Sequence, residues 1–234
     1  MQTLSDNQLL AVWEQGFRLH PVDRGLLVLS AALPGVPYAA LADWPLGRRN
    51  RALAEWLCTS FGPRLAGWAT CERCGERLEF ELDTRVLLAA EPTDSEARVE
   101  VGGHMFRLPT SRDLALAARA EGPHDAMASL LDACRLDAGE KLDLSGEQLD
   151  ELGERLSLAD PLAETHVAMT CPECAAQQDD TLNMTVFAWA ELEARIKRLL
   201  LEVHLLASAY GWSEADVLAV SEPRRAFYLD AAGR

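Results

Sequence analysis

Two cysteine pairs constrain this chain more than any other feature. Cys71 and Cys74 stand in TCERCGERLEF, Cys171 and Cys174 in TCPECAAQ, with 96 residues between the pairs. Two residues between cysteines let one tight turn aim both sulfurs at one ion. Two such turns complete the tetrahedral shell that zinc prefers. The flanking segments fit that reading. LAGWAT leads into Cys71, and RLEFELD leads out of Cys74 with Leu78, Phe80 and Leu82 alternating against Arg77, Glu79 and Glu81. That is the period of a strand. ETHVAMT leads into Cys171 with the same alternation, and TLNMTVF after Cys174 reads as its returning strand. Each pair is thus expected in a turn between two strands, as a zinc ribbon presents its ligands. Gly75 relieves crowding in the first turn and Pro172 stiffens the second, whereas Ala175 stands where a glycine would fit better.

Other readings of the spacing are a redox pair and chance. A thioredoxin-type pair lies between a strand and the start of a helix, and neither pair here does. The expectation is therefore a structural Zn²⁺ held by Cys71, Cys74, Cys171 and Cys174, with iron as the rival ion for the same shell. A catalytic zinc keeps one position open for water; four thiolates leave none. The site is expected to staple two hairpins that are distant in sequence.

The rest of the composition agrees with an intracellular protein. Six cysteines in a reducing compartment favour metal or redox chemistry over a disulfide framework. The start MQTLSDNQLLAVWEQ lacks the basic beginning and apolar centre of a signal peptide. No apolar run reaches the roughly 18 residues of a membrane span. With 37 acids against 22 bases, the net charge of −15 opposes binding to phosphate backbones and anionic lipids. The expected partners are proteins, not nucleic acid or membrane, and the expected compartment is the cytoplasm.

Around the cysteine unit the pattern is helical. SDNQLLAVWEQGFRLH opens on a Ser/Asp cap with Leu9, Leu10, Trp13 and Phe17 at helical spacing. A second helix is expected from Pro21 to Pro34, and a third from Pro45 to Gly62, with Leu53, Trp56, Leu57 and Phe61 as its stripe. EARVEVGGHMFRLP reads as a hairpin turning at Gly102-Gly103. Helices follow in PTSRDLALAARA, PHDAMASLLDACRLD and SGEQLDELGERLSLAD, broken near Gly139 and Gly146. A long helix from Phe187 carries a stripe of Leu192, Ile196, Leu199, Leu200, Val203 and Leu206 and stops at Gly211. Two short capped helices close the chain, with Pro223 in the first turn of the second. No repeat at a fixed period is evident. The reading is α+β and mostly helical, with a zinc-ribbon-like β unit made of two cysteine hairpins and a long C-terminal helix. Its parts are a helical region 1–63, the hairpins with a helical insertion at about 109–160 within 64–186, and the helices 187–234, together forming one compact unit.

No serine-protease triad, HExxH, phosphate loop or dinucleotide fingerprint appears. Cys58 and Cys134 read as small core residues on helices. His20 reads as a turn or capping residue, and His104, His166 and His204 as packed or solvated. The carboxylates of SGEQLDELGERL read as the solvated side of a helix. FRLPTSRDL reads as a strand-to-helix junction with Asp113 near the helix N-terminus, or else as a docking surface through Arg112 and Asp113. Trp189, Tyr210, Trp212, Phe227 and Tyr228 read as core aromatics, or, beside Arg224 and Arg225, as an interface.

Six segments occur in a particular order: HPVDRGLLVL, PLGRRNRAL, CERCGERLEFEL, FRLPTSRDL, CPEC and AYGWSEADVLAVSEPRRAFYL. Together they resemble the T4-type phage baseplate family of baseplate hub assembly chaperones, which accompany contractile tails and contractile injection systems. The resemblance covers nearly the whole chain, and the paired C-x-x-C form looks like the injection-system variant. It implies an assembly factor or a minor component of a baseplate hub, in the cytoplasm or in a tail-like particle. Its partners would be hub or other tail proteins, and it implies no catalytic residues. The alternative from the cysteines alone is a zinc-ribbon adaptor in transcription or translation; a thiol enzyme is a third reading.

Overall fold

Helix α1 (Asp6–Gly16) starts at Ser5, whose hydroxyl accepts the Gln8 N–H while the Gln8 side chain reaches back to the Ser5 N–H. This reciprocal cap satisfies two orphan donors of the first turn. Pro21 opens α2 (Pro21–Ala32), preceded by His20, whose Nδ1 accepts from the Val22 N–H. A short α3 (Tyr38–Ala42) follows, then α4 (Leu46–Phe61), bounded by Pro45 and Gly62. The computed structural model describes residues 1–137, 142 and 144–233, and in these the architecture is α+β and mostly helical.

Strands β1 (Arg64–Thr70) and β2 (Arg77–Asp83) pair antiparallel and run into α5 (Thr84–Ala89). Strands β3 (Arg98–Val101) and β4 (His104–Arg107) form a tight hairpin. Gly102 and Gly103 both have positive φ there, which a two-residue turn of this kind requires. Helices α6 (Ser111–Ala117), α7 (Pro123–Cys134) and α8 (Gly146–Ala159) come next. The break expected at Gly139 lies outside the described residues; Gly146 opens α8 behind a Ser145–Gln148 capping box. Strands β5 (Thr165–Thr170) and β6 (Gln177–Leu182) form the second cysteine hairpin. The chain ends in α9 (Met184–Tyr210), α10 (Glu214–Ala219) and α11 (Glu222–Ala231). The described strands make three separate two-stranded sheets.

Apolar side chains collect in four places. The largest core joins α1, α2 and α4 to the first half of α9, with Leu29, Leu53, Trp56 and Leu57 against Leu192, Ile196 and Leu199. Each such side chain contributes about 1.5–3 kcal/mol by leaving water. A second core packs Val99, Val101 and Phe106 of β3–β4 on Cys134 and Leu152 of α7 and α8. A third lies beneath the cysteine turns. A fourth joins Val203 and Leu206 of α9 to Val217 of α10, and there Tyr210, Trp212 and Tyr228 stack or meet edge to face.

Three expectations need correction. TLNMTVF is not a strand: only Thr181 and Leu182 belong to β6. The Asn183 side chain accepts the N–H groups of Thr185 and Val186, so α9 begins at Met184, three residues earlier than periodicity suggests. Leu200 is 36% exposed, outside the buried stripe that Leu192, Ile196, Leu199, Val203 and Leu206 form. Of the two readings of the C-terminal aromatics and arginines, Arg225 does not fit the interface. It is 1% exposed, with Nε on Glu202 at 2.9 Å and Nη2 on Asp6 at 2.7 Å. Asp6 also takes Arg195 at 3.1 Å, so α1, α9 and α11 share one ion cluster. Removing one partner from such a buried pair typically costs about 3–5 kcal/mol.

Candidate metal centre

Cys71 follows the last residue of β1. Its N–H donates to the Glu76 carbonyl at 2.8 Å, and its carbonyl accepts from the Gly75 N–H at 2.8 Å. The second turn repeats both bonds one hundred residues later: Cys171 N–H to the Ala176 carbonyl at 2.8 Å, and Ala175 N–H to the Cys171 carbonyl at 3.0 Å. The fourth position after each first cysteine turns left-handed. Gly75 has φ +77° and Ala175 φ +55°, the latter alone among the described non-glycine residues in having positive φ. An L side chain there costs about 1–2 kcal/mol, so the second turn holds strain that the first avoids.

The two turns face each other. Cys71 Sγ lies 3.7 Å from Cys174 Sγ, and Cys74 Sγ lies 3.6 Å from Cys171 Sγ. All four sulfurs lie within 4.8 Å of one another. Zinc–sulfur bonds of about 2.3 Å in a tetrahedron put sulfurs about 3.8 Å apart, so the described thiols have the spacing of a metal shell. Cys71 and Cys171 are buried, Cys174 is half-buried and Cys74 is exposed. Leu78 and Met169 pack against the turns. Gln178 locks the two units together: its Nε2 donates to the Thr70 carbonyl and its Oε1 accepts from the Glu72 N–H, both at 3.2 Å.

The thiols differ in acidity. The backbone N–H of Cys74, and then that of Arg73, hold Cys71 down at about 7. Cys74 has a favourable N–H from Glu76, yet the neighbouring sulfurs of Cys174, Cys171 and Cys71, together with burial, push it up to about 12. Cys71 thus gives up its proton more readily than Cys74, and a bound cation would favour the thiolate at both. Both cysteine pairs lie between antiparallel strands and not at a helix start.

The remaining candidates lie elsewhere. Cys58 is half-buried on α4. Cys134 is buried on α7, its thiol pushed up to about 11 first by burial and then by Asp113, so it is a poor nucleophile. His104 contacts Asp137 at 2.8 Å, and His166 sits exposed on β5 between Glu164 and Asp179. His204 is exposed on α9. None belongs to the sulfur cluster. FRLPTSRDL is a junction: buried Asp113 takes both Arg107 nitrogens at 2.7 and 2.8 Å and the Thr110 N–H at 2.8 Å. Burial alone would raise its pKa, but the hydrogen bonds from Arg107 and Thr110 hold it below the usual carboxylate value. Arg112 pairs with Asp43.

One relation escaped the sequence reading. Both cysteine units have the form C-x-x-C-x₇-L-[DN], ending in Asp83 and Asn183. Each of these residues caps the helix that follows, α5 or α9. The strand registers also coincide after a shift of one hundred: Thr70 faces Arg77 as Thr170 faces Gln177. With 96 residues between the pairs and few shared side chains, the threonine before each turn, the cysteines, the leucine and the Asp or Asn cap mark the second copy. Compared with family models, with curated proteins and with solved structures, the chain matches none.

Proposed function

We propose that this chain is a non-enzymatic assembly factor, or a minor structural component, of the baseplate hub of a contractile tail or contractile injection system, with Zn²⁺ as its structural ion. The observation that carries the non-catalytic part is the closed sulfur shell: four thiols within 4.8 Å would fill every position of a tetrahedral ion and leave none for a substrate or water. The tail setting is supported by the ordered set of segments from HPVDRGLLVL to AYGWSEADVLAVSEPRRAFYL. A net charge of −15 favours a partner with a basic face. Exposed Trp68, Val86, Leu158 and Phe227 offer apolar contact area for a protein. Among the described residues no helix is long and apolar enough to cross a membrane.

Co-expression with the hub, tube and wedge subunits of its own gene cluster tests the partner. The expected result is a complex with a hub or spike-adjacent subunit that survives gel filtration. Failure to bind any of them overturns the proposal, and salt-sensitive binding to nucleic acid would replace it with an adaptor role. Mass spectrometry of purified particles separates a transient chaperone from a resident component. Elemental analysis of reductively purified protein is expected to give one zinc per chain; an empty or iron-loaded site overturns that assignment.

A further inference from the structure

Arg49, in the first turns of α4, is 4% exposed. Its Nε and Nη2 donate to Asn50 Oδ1 at 3.1 and 2.8 Å, and its Nη1 donates to Ser111 Oγ at 3.1 Å. Both acceptor groups are neutral. A guanidinium has five N–H donors, so two have no acceptor among the described residues. Nor does any described carboxylate form an ion pair with it. Asp160 acts on it only through space, because its oxygens take the Gly47 N–H at 2.9 Å and the Thr93 hydroxyl at 2.6 Å. Burial lowers the Arg49 pKa to about 10, which leaves it charged at neutral pH. A buried cation without a bonded anion costs several kcal/mol.

Arg49 lines a cavity of about 610 Å³ where the helical core, the β3–β4 core and the second cysteine hairpin meet. Its walls are largely apolar, including Leu46, Pro109, Leu114, Leu130, Leu156 and Met184. The volume lies within the range of ligand pockets, which combine apolar walls with a few fixed polar groups. We propose that the cavity binds a monoanionic carboxylate carried on an apolar body, with Arg49 taking its oxygens. Asn50 serves as the positioning residue: its Oδ1 holds the guanidinium, while its Nδ2 is anchored to the carbonyls of Leu162 and Ala163 at 2.7 and 3.1 Å. Asp160, Glu164 and His166 also line the cavity, Glu164 already facing His166. With Asp160 drawing on Arg49 through space, a single negative charge suits the site better than the two of a phosphate dianion. The carboxylate could belong to a free organic acid or to the C-terminus of a polypeptide ending in an apolar residue.

Calorimetric titration of the metal-loaded full chain tests this with octanoate, octanol, and a leucine-ended pentapeptide as free acid and as amide. Each acid that binds is expected to do so at least about tenfold more tightly than its neutral counterpart. Arg49→Gln is expected to remove that preference. Gly153 also lines the cavity, and a Cβ built there meets nothing within 4 Å. Gly153→Leu should therefore preserve the fold, narrow the cavity and weaken acid binding by at least about tenfold. Acids and neutral counterparts binding alike, unaltered binding in Gly153→Leu, or no binding by about 10 mM overturns the proposal. If Arg49→Gln does not fold, Gly153→Leu still decides it. The tighter of octanoate and the peptide acid identifies the source of the carboxylate.

Discussion

In hairpin β1–β2 the positions that follow the cysteine turn hold Leu78, Phe80 and Leu82; in β5–β6 the corresponding positions hold Gln178, Asp180 and Leu182. The turns have the same hydrogen bonds and the strands the same register. The first hairpin can bury an apolar face of its own. The second buries less, because Gln178 and Asp180 stand opposite Met169 and Val167 on its inner face and gain little by leaving water. What fixes β5–β6 is the pair of ends it joins: the sulfur cluster at one and the Asn183 cap of α9 at the other. One backbone is thus reached by two routes, one through burial and one through ligation and capping.

Metal removal should separate the routes most sharply. Chelation, or Cys171→Ser, is expected to lower stability by at least about 4 kcal/mol, about 10 °C in Tm. Hydrogen exchange should show amides of β5–β6 losing protection before those of β1–β2. Equal loss in both hairpins would break the comparison.

Next in size is Gly67→Ala. Gly67 faces Phe80, and a Cβ there would lie 2.4 Å from the ring. The expected cost is about 1–3 kcal/mol by denaturant unfolding. Its counterpart, Val167, faces Asp180 and already carries a branched side chain, so Val167→Gly should lose packing where Gly67→Ala suffers a clash.

Acidification is a third lever. Cys71 is held at about 7, below the ordinary thiol value. A group whose folded pKa is depressed stabilises the fold above its unfolded pKa and loses that contribution as pH falls through the folded value. Protons also compete with the metal for the sulfurs. Metal affinity, read with a chromogenic chelator, should fall at least about tenfold per pH unit below 7.

Smallest is the reciprocal pair at the left-handed position. Gly75→Ala is expected to cost about 1 kcal/mol and Ala175→Gly to gain up to about 1 kcal/mol. Equal and opposite shifts would show that the turns differ only in strain.

Much of the cysteine unit is legible because its constraints are local. C-x-x-C spacing, period two in RLEFELD, and proline, glycine and serine at helix ends all act within a few residues. The start of α9 is hidden because Thr185, Val186 and Phe187 are strand formers by local preference, and the Asn183 cap overrides it. Arg225 can be read as an interface residue from sequence because its partners, Asp6 and Glu202, are 219 and 23 residues away. Arg49 was hidden likewise: Ser111 meets it from 62 residues along the chain. Burial of a charge depends on such long-range partners, which no local pattern reports.

The hundred-residue offset between the turns also sets an order of events on the ribosome. At about 5–20 residues per second, Cys71 and Cys74 emerge roughly 5–20 s before Cys171 and Cys174. Throughout that interval the nascent chain presents half a chelate. The hairpin made first is the one with leucines and a phenylalanine on its inner face, and its Leu65 packs on the core of α1, α2 and α4, which are synthesised before it. The hairpin made last arrives at a partner already in place, and can afford to be built of glutamine and aspartate.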